Sequence, residues 1–218
     1  MATNCTDTTK LYDDVEFCPG QIVLPGTRDH AYFCSKRNIA KWPTLPLADA
    51  ESLDKVAVYD GDFKMELDKV FARFDLVPSE SEPKCEQVGS WGSLHFQNTI
   101  TLVLPGTGEK VTGLITMMNN DDGIIVVPMR DGKLRVFGSE SFNVSIKPSQ
   151  SMGKGSGDSV NTTIEVVSED LAPAPFYPGK LPTNLGNIDG TSDTLIEEAS
   201  EGVGGLLLPS PHIINHSL

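Results

Sequence analysis

Residues 93–137 read SLHFQNTITLVLPGTGEKVTGLITMMNNDDGIIVVPMRDGKLRVF, and three patterns follow one another in that stretch. From Ser93 to Leu104, β-branched and aromatic residues dominate and Pro105-Gly106 closes the run, which predicts one long strand. Between Gly108 and Asn120, Val111, Leu114, Ile115 and Met118 recur at i, i+3, i+4 and i+7, one apolar stripe on a helix. Thr107 is placed to cap that helix, Glu109 suits its first turn, and Asn119, Asn120 and Asp121 end it. Residues 124–129 and 133–137 then flank Asp131-Gly132, a dipeptide that favours a tight hairpin. Long strand, one helix, hairpin: the order is that of a β protein with a single flanking helix.

Working outward, 142–146 alternates as a short strand, and 161–167 does the same with Thr162, Ile164 and Val166 on one face. Between them, 147–160 (KPSQSMGKGSGDSV) is a Gly/Ser-rich loop. The Pro-rich stretch 171–180 reads as an extended exit from the body, and from 181 onward periodicity is lost apart from apolar clusters at 206–208 and Ile213-Ile214. Upstream, Phe63, Met65 and Leu67 alternate with Lys64 and Glu66, and with 56–59 across Asp60-Gly61 they predict a second hairpin. Residues 68–76 fit strand or short helix, and 78–85 reads as a polar loop. His30 to Cys34 reads as a strand. The piece 39–42, stopped by Pro43 and Pro46, reads as an edge or connecting arm. The expectation is a mainly β chain: a β-sandwich or barrel-like body at 21–180 with one flanking α-helix, and extended arms at 1–20 and 181–218.

A length of 218 residues suits one domain with appendages. Acidic residues number 30 against 17 basic, a net charge of −13, which argues against gripping nucleic acid, since that relies on Lys and Arg neutralising phosphates. The charge is not a tail effect: residues 1–60, 61–110 and 111–179 each carry a net −3. MATNCTDTTKLYDD lacks the basic and apolar regions of a secretory leader, and no apolar run approaches a membrane span, so a soluble chain with reduced thiols is expected.

Chemistry-bearing residues do not assemble into a familiar pattern. No GxSxG or HExxH motif is present, and adjacent carboxylates such as Asp121-Asp122 would diverge on a strand or sit in a turn. Cys5, Cys18, His30 and Cys34 have the inventory of a zinc site, but spacings of 13, 12 and 4 lack a close CxxC pair, so free thiols are the expectation, with no metal and no cofactor. The run 153–157 (GKGSG) lacks the full phosphate-loop pattern. Trp42 and Trp91, beside Pro or Gly, are expected as core anchors. An enzyme is not expected.

The stretch 124–180, with its Asp-Gly hairpin, "VFG", Gly-rich loop, Thr/Val strand and "APFYPG", resembles the second half of tail tube (major tail) proteins of bacteriophages, especially those of Bacteroidota hosts. LYDDVEFCPGQIVLPGTRDHAYFC (11–34) followed by KWPTLP (41–46) is similar to the start of that group, so the resemblance covers most of 8–180. It implies a virion structural protein, assembled in the host bacterial cytoplasm, that forms a homo-hexameric ring. Each subunit would give strands to a closed inner barrel, rings would stack into a tube for DNA ejection, and loops and arms would bridge rings and meet other tail proteins, with no membrane involved. The last 38 residues depart from a minimal tube subunit. A wall that lets DNA slide must repel phosphates, and Asp62, Glu66 and Asp68 are the first candidates to face the lumen. Two alternatives stay open: another phage structural protein (head–tail joining, tail terminator or capsid decoration), or a carbohydrate-binding, adhesin-like β-sandwich with Trp42, Trp91 or Tyr177 as its platform.

Overall fold

The structure, a computed structural model, describes residues 11–198. In chain order the strands are β1 His30–Ser35, β2 Ile39–Lys41, β3 Lys64–Met65, β4 Ala72–Asp75, β5 Glu82–Val88 and β6 His95–Pro105. The one α-helix among the described residues, α1, spans Glu109–Met118. It is followed by β7 Gly123–Pro128, β8 Leu134–Phe137, β9 Val144–Ser151, β10 Asn161–Asp170, β11 Phe176–Tyr177, β12 Lys180–Thr183, β13 Gly186–Asp189 and β14 Thr194–Glu198. They pair antiparallel into a five-stranded sheet (β11-β8-β7-β1-β4), a four-stranded sheet (β5-β6-β10-β9), a three-stranded sheet (β12-β13-β14) and a β2-β3 ribbon. The mainly β, sandwich-like body with one flanking helix is the expected class.

The two large sheets face each other across one core. Ile100, Leu102 and Leu104 of β6 and Ile164 and Val166 of β10 meet Ala31, Phe74, Ile125, Val127 and Phe137 from the five-stranded sheet. Helix α1 lays its stripe of Val111, Leu114, Ile115 and Met118 against the same core. Its N-cap is Gly108 with no side-chain bond, so Thr107 does not cap it; the Thr107 carbonyl instead accepts a hydrogen bond from the Thr112 hydroxyl.

The five-stranded sheet is covered on its other face as well. Tyr32, Cys34, Ile124, Val126, Leu134 and Val136 point away from the sandwich core and pack against Phe63, Phe71, Tyr177, Leu181 and Ile188. This explains a difference in pattern: β7 (GIIVVP) is buried at every residue because neither face meets water, whereas β10 alternates because one face does.

Several expected elements change. The 56–67 hairpin does not form: β3 pairs with β2, and a bridge joins Asp60 to Thr44. Phe63 turns inward onto Tyr177, with ring centroids 4.8 Å apart, while Leu67 is 86% exposed. The polar stretch before Cys85 carries β5, which pairs with β6 and needs no apolar alternation because it is an edge strand. Part of the expected loop at 147–160 is the second half of β9. The Pro-rich segment after β10 does not leave the body. Buried Asn98 fastens it, donating to the Ala172 carbonyl and accepting from the Ala174 amide, and β11 then pairs with β8.

The chief correction concerns the C-terminal arm. Residues 180–198 form a sheet whose Leu181 and Ile188 complete the second core, so the body runs to β14 rather than stopping at 180. Short strands with only two core-facing apolar residues carry too weak an alternation to read from sequence. The apolar clusters at 206–208 and 213–214 lie outside the described residues. A core role for Leu181 predicts that Leu181→Ala lowers unfolding free energy by about 2–5 kcal/mol in denaturant titrations. Exposed Leu67→Ala should stay within about 0.5 kcal/mol of the parent.

Candidate functional site

The outer face of the four-stranded sheet presents half-buried and exposed side chains to water. Register aligns its outward residues in rows: Glu82, Thr101, Glu165 and Lys147; then Lys84, Thr99, Val167 and Ser145; then Glu86, Gln97 and Glu169. Hydroxyls, amides and charges make up most of this face, and its four carboxylates outnumber its two ammonium groups. Lys84 pairs with Glu86 along β5, and His95 Nε2 lies 3.6 Å from Glu169 across the strands. No arginine stands on it, so the bidentate phosphate clamp that Arg makes is missing from this surface.

Its two edges are β5 and β9. With four strands alternating in direction, the two edges run oppositely. A second copy placed beside the first by a pure rotation therefore brings its β5 antiparallel to the first copy's β9, continuing the ladder. One proline on each edge, Pro83 and Pro148, removes a backbone donor from that edge strand.

A second constellation is buried, at the N-terminal end of β1. Asp193, in the β13–β14 turn, accepts hydrogen bonds from Arg28 Nη1 at 2.9 Å and from the Tyr32 hydroxyl at 3.0 Å, and lies 3.2 Å from His30 Nε2. The other ring nitrogen of His30 is 2.8 Å from Asp29. An imidazole between two carboxylates satisfies both only as the doubly protonated cation. Burial opposes that charge, but hydrogen bonds to Asp193 and Asp29 outweigh it and hold His30 above its ordinary value, with Arg73 opposing weakly. Burial and the Asp193 charge push the Tyr32 phenol up. The network is a clasp between β1 and the three-stranded sheet. Sequence reading missed it because His30 and Asp193 are 163 residues apart; the only local hint was Asp29 beside His30.

The residues singled out from sequence land elsewhere. Asp62, Glu66 and Asp68 are exposed but share no strand face: β3 is two residues long, Asp68 sits in a turn at φ 59°, and Asp62 accepts from the Lys180 amide. They lie on the layer covering the second core, on the far side of the five-stranded sheet from the polar face. Cys34 is buried, with its thiol donating to the Ser35 carbonyl, and burial pushes that thiol up to about 12. His30 and Cys34 share a strand face about 13 Å apart, Cys18 is exposed, and Cys5 lies outside the described residues. Asp121 and Asp122 are occupied by Ser35 and Arg37, and by Lys36 and the Val144 amide. In the GKGSG loop, Asp158 takes the Lys154 and Gly155 amides. Trp42 packs on Phe63 as an anchor, Tyr177 is fully buried, and Trp91, at 96% exposure, is not a core residue. These three aromatics therefore form no common platform.

Comparison with protein-family models, with characterised proteins and with solved structures returns no match.

The clasp has a definite pH sign. A histidine raised on folding contributes its full stability below the unfolded value of about 6.5 and loses it as pH climbs through the folded value. Denaturant midpoints should therefore fall from pH 6 towards pH 8.5, and His30→Gln should flatten that slope; an unchanged slope removes His30 from the clasp.

Proposed function

We propose that this chain is a structural, non-enzymatic subunit of a phage tail tube. In this reading the four-stranded sheets of successive copies join β9 to β5 around a ring, and their polar faces line a conduit for DNA. The observation that carries the reading is the four-stranded sheet itself. It has one face packed on the core, one broad polar face left in water, and two edges aligned for head-to-tail addition. A heterologous interface of that kind closes into rings when the rotation closes, and ring closure removes both edges.

The face also has the chemistry of a passage rather than a grip. Thr, Ser and Gln side chains offer weak, replaceable hydrogen bonds. The carboxylates Glu82, Glu86, Glu165 and Glu169 repel phosphate over roughly the 8 Å Debye length of physiological salt. The resemblance of 124–180 and 11–46 to tail tube proteins points the same way. The lining then passes from Asp62, Glu66 and Asp68 to the outer sheet face. Assembly would take place in the host bacterial cytoplasm, with the virion as destination, and other tail proteins would meet the ends of the tube.

Negative-stain microscopy of the purified full chain tests the reading. Hollow filaments of stacked rings are expected; single rings would point to a joining or terminator subunit, and dispersed monomers would overturn the proposal. In assembled particles, Glu82→Lys, Glu86→Lys, Glu165→Lys and Glu169→Lys together should slow DNA ejection by on the order of tenfold or more, because each reversal replaces repulsion of phosphate by attraction. The same reversal at Asp62, Glu66 and Asp68 should leave ejection near normal.

A further inference from the structure

Trp91 is the most exposed large apolar residue among the described residues, at 96%. It stands at the tip of the β5–β6 hairpin between Gly89 and Gly92, whose φ angles of +102° and +90° shape the turn. The tip is internally tied: the Ser93 amide donates to the Ser90 carbonyl at 2.8 Å, and His95 Nδ1 lies 3.1 Å from the Ser93 carbonyl. An indole on a pre-formed turn presents a large apolar area whose ordering cost on binding is already met.

The other end of the same sheet carries a matching surface. β6 and β10 pair from Phe96–Asp170 to Pro105–Asn161, ten residue pairs, so the β9–β10 loop lies about 33 Å along the strands from the Trp91 tip. That loop exposes Met152 at 74% and Val160 at 45%. It frames an open cleft of ≈ 570 Å³ lined by Gln150, Met152, Lys154 and Asp158 among others. Methionine is the side chain best able to mould itself to an aromatic partner. The charges agree as well. Lys154 Nζ has no carboxylate partner among the described residues, and exposed Glu140 lies at the Trp91 end, on the loop whose Phe142 ring stacks on His95.

We infer that Trp91 of one copy seats in the Met152 cleft of the next copy along the tube axis, the axial contact between rings. The inference rests on the stacked-ring reading, because only translation along the strands brings the two opposite ends of this sheet together.

The test uses the full chain. Trp91→Ala should still give rings, but the concentration needed for filaments should rise on the order of tenfold or more, as for an interface anchor, while Trp91→Phe should recover part of the loss. The denaturant midpoint of the unassembled protein confirms folding, and removing an exposed residue should leave it close to the parent's. As a second measurement, Trp91→Cys and Met152→Cys are made as separate proteins, each also carrying Cys5→Ser, Cys18→Ser and Cys85→Ser, then mixed and oxidised. A mixed disulfide dimer well above either protein alone supports the contact. Normal filaments from Trp91→Ala with no mixed disulfide overturn the inference and leave the tube reading standing. If the parent chain forms no filaments, the tube reading fails and the axial contact falls with it.

Discussion

Burying both faces of the five-stranded sheet requires two separate covers, and the rest of the molecule is arranged to supply them. β7 holds four consecutive branched apolar residues, Ile124 to Val127, each fully buried. Ile125 and Val127 face the four-stranded sheet and α1; Ile124 and Val126 face Phe63, Phe71, Tyr177, Leu181 and Ile188. Removing either cover exposes a row of side chains each worth roughly 1.5–3 kcal/mol of burial. The irregular 39–71 region and the small C-terminal sheet are therefore as much a part of the core as the long strands.

The same constraint separates the molecule's surfaces by role. The four-stranded sheet needs only one covered face, so its other face is free to be polar and to meet something large. The outer cover on the opposite side is pinned by specific polar contacts. The Tyr177 hydroxyl bridges the Phe63 amide and the Lys180 carbonyl, and Asp193 gathers Arg28, His30 and Tyr32. Gly190 passes so close to the Tyr177 carbonyl that a Cβ there has no room. These are the bonds of a fastening, and they place the turn carrying Asp193 against β1. The sheet face, its two edges and its two hairpin tips carry no such cover.

Reading of the sequence succeeded where local periodicity and burial agreed. The 93–137 stretch was legible because β6 is rich in β-branched and aromatic residues and closed by Pro105-Gly106, α1 carries its stripe at helical spacing, and Asp131-Gly132 marks a real turn: the Gly132 amide bonds to the Met129 carbonyl and the Lys133 amide to the Asp131 carboxylate. It failed at 56–67, where an Asp-Gly step and alternating residues describe a hairpin that tertiary contacts override: Phe63 joins an aromatic cluster with Trp42, Phe71 and Tyr177, and β3 pairs with β2. It failed again at β5, because an edge strand with a water-facing side needs no apolar code. The first lumen-facing candidates rest on the strand expected within 56–67. Asp62, Glu66 and Asp68 flank a strand only two residues long, Lys64–Met65, while Glu82 lies in the stretch 78–85 that reads as loop and carries the start of β5.

From the residues alone came the class of the protein: mainly β, one helix, acidic throughout its body, without a recognisable catalytic pattern. Those properties are carried by composition and short-range spacing, which one chain displays without folding. Tertiary structure decided which face of each strand sees water, where the body ends, and which distant groups meet. Each of those depends on contacts between segments up to 165 residues apart, as between Arg28 and Asp193, and no local pattern encodes which partner a side chain will find. The acidity visible from the start thus became a particular surface only when register placed Glu82, Glu165 and Lys147 in one row and set Glu86 beside Glu169.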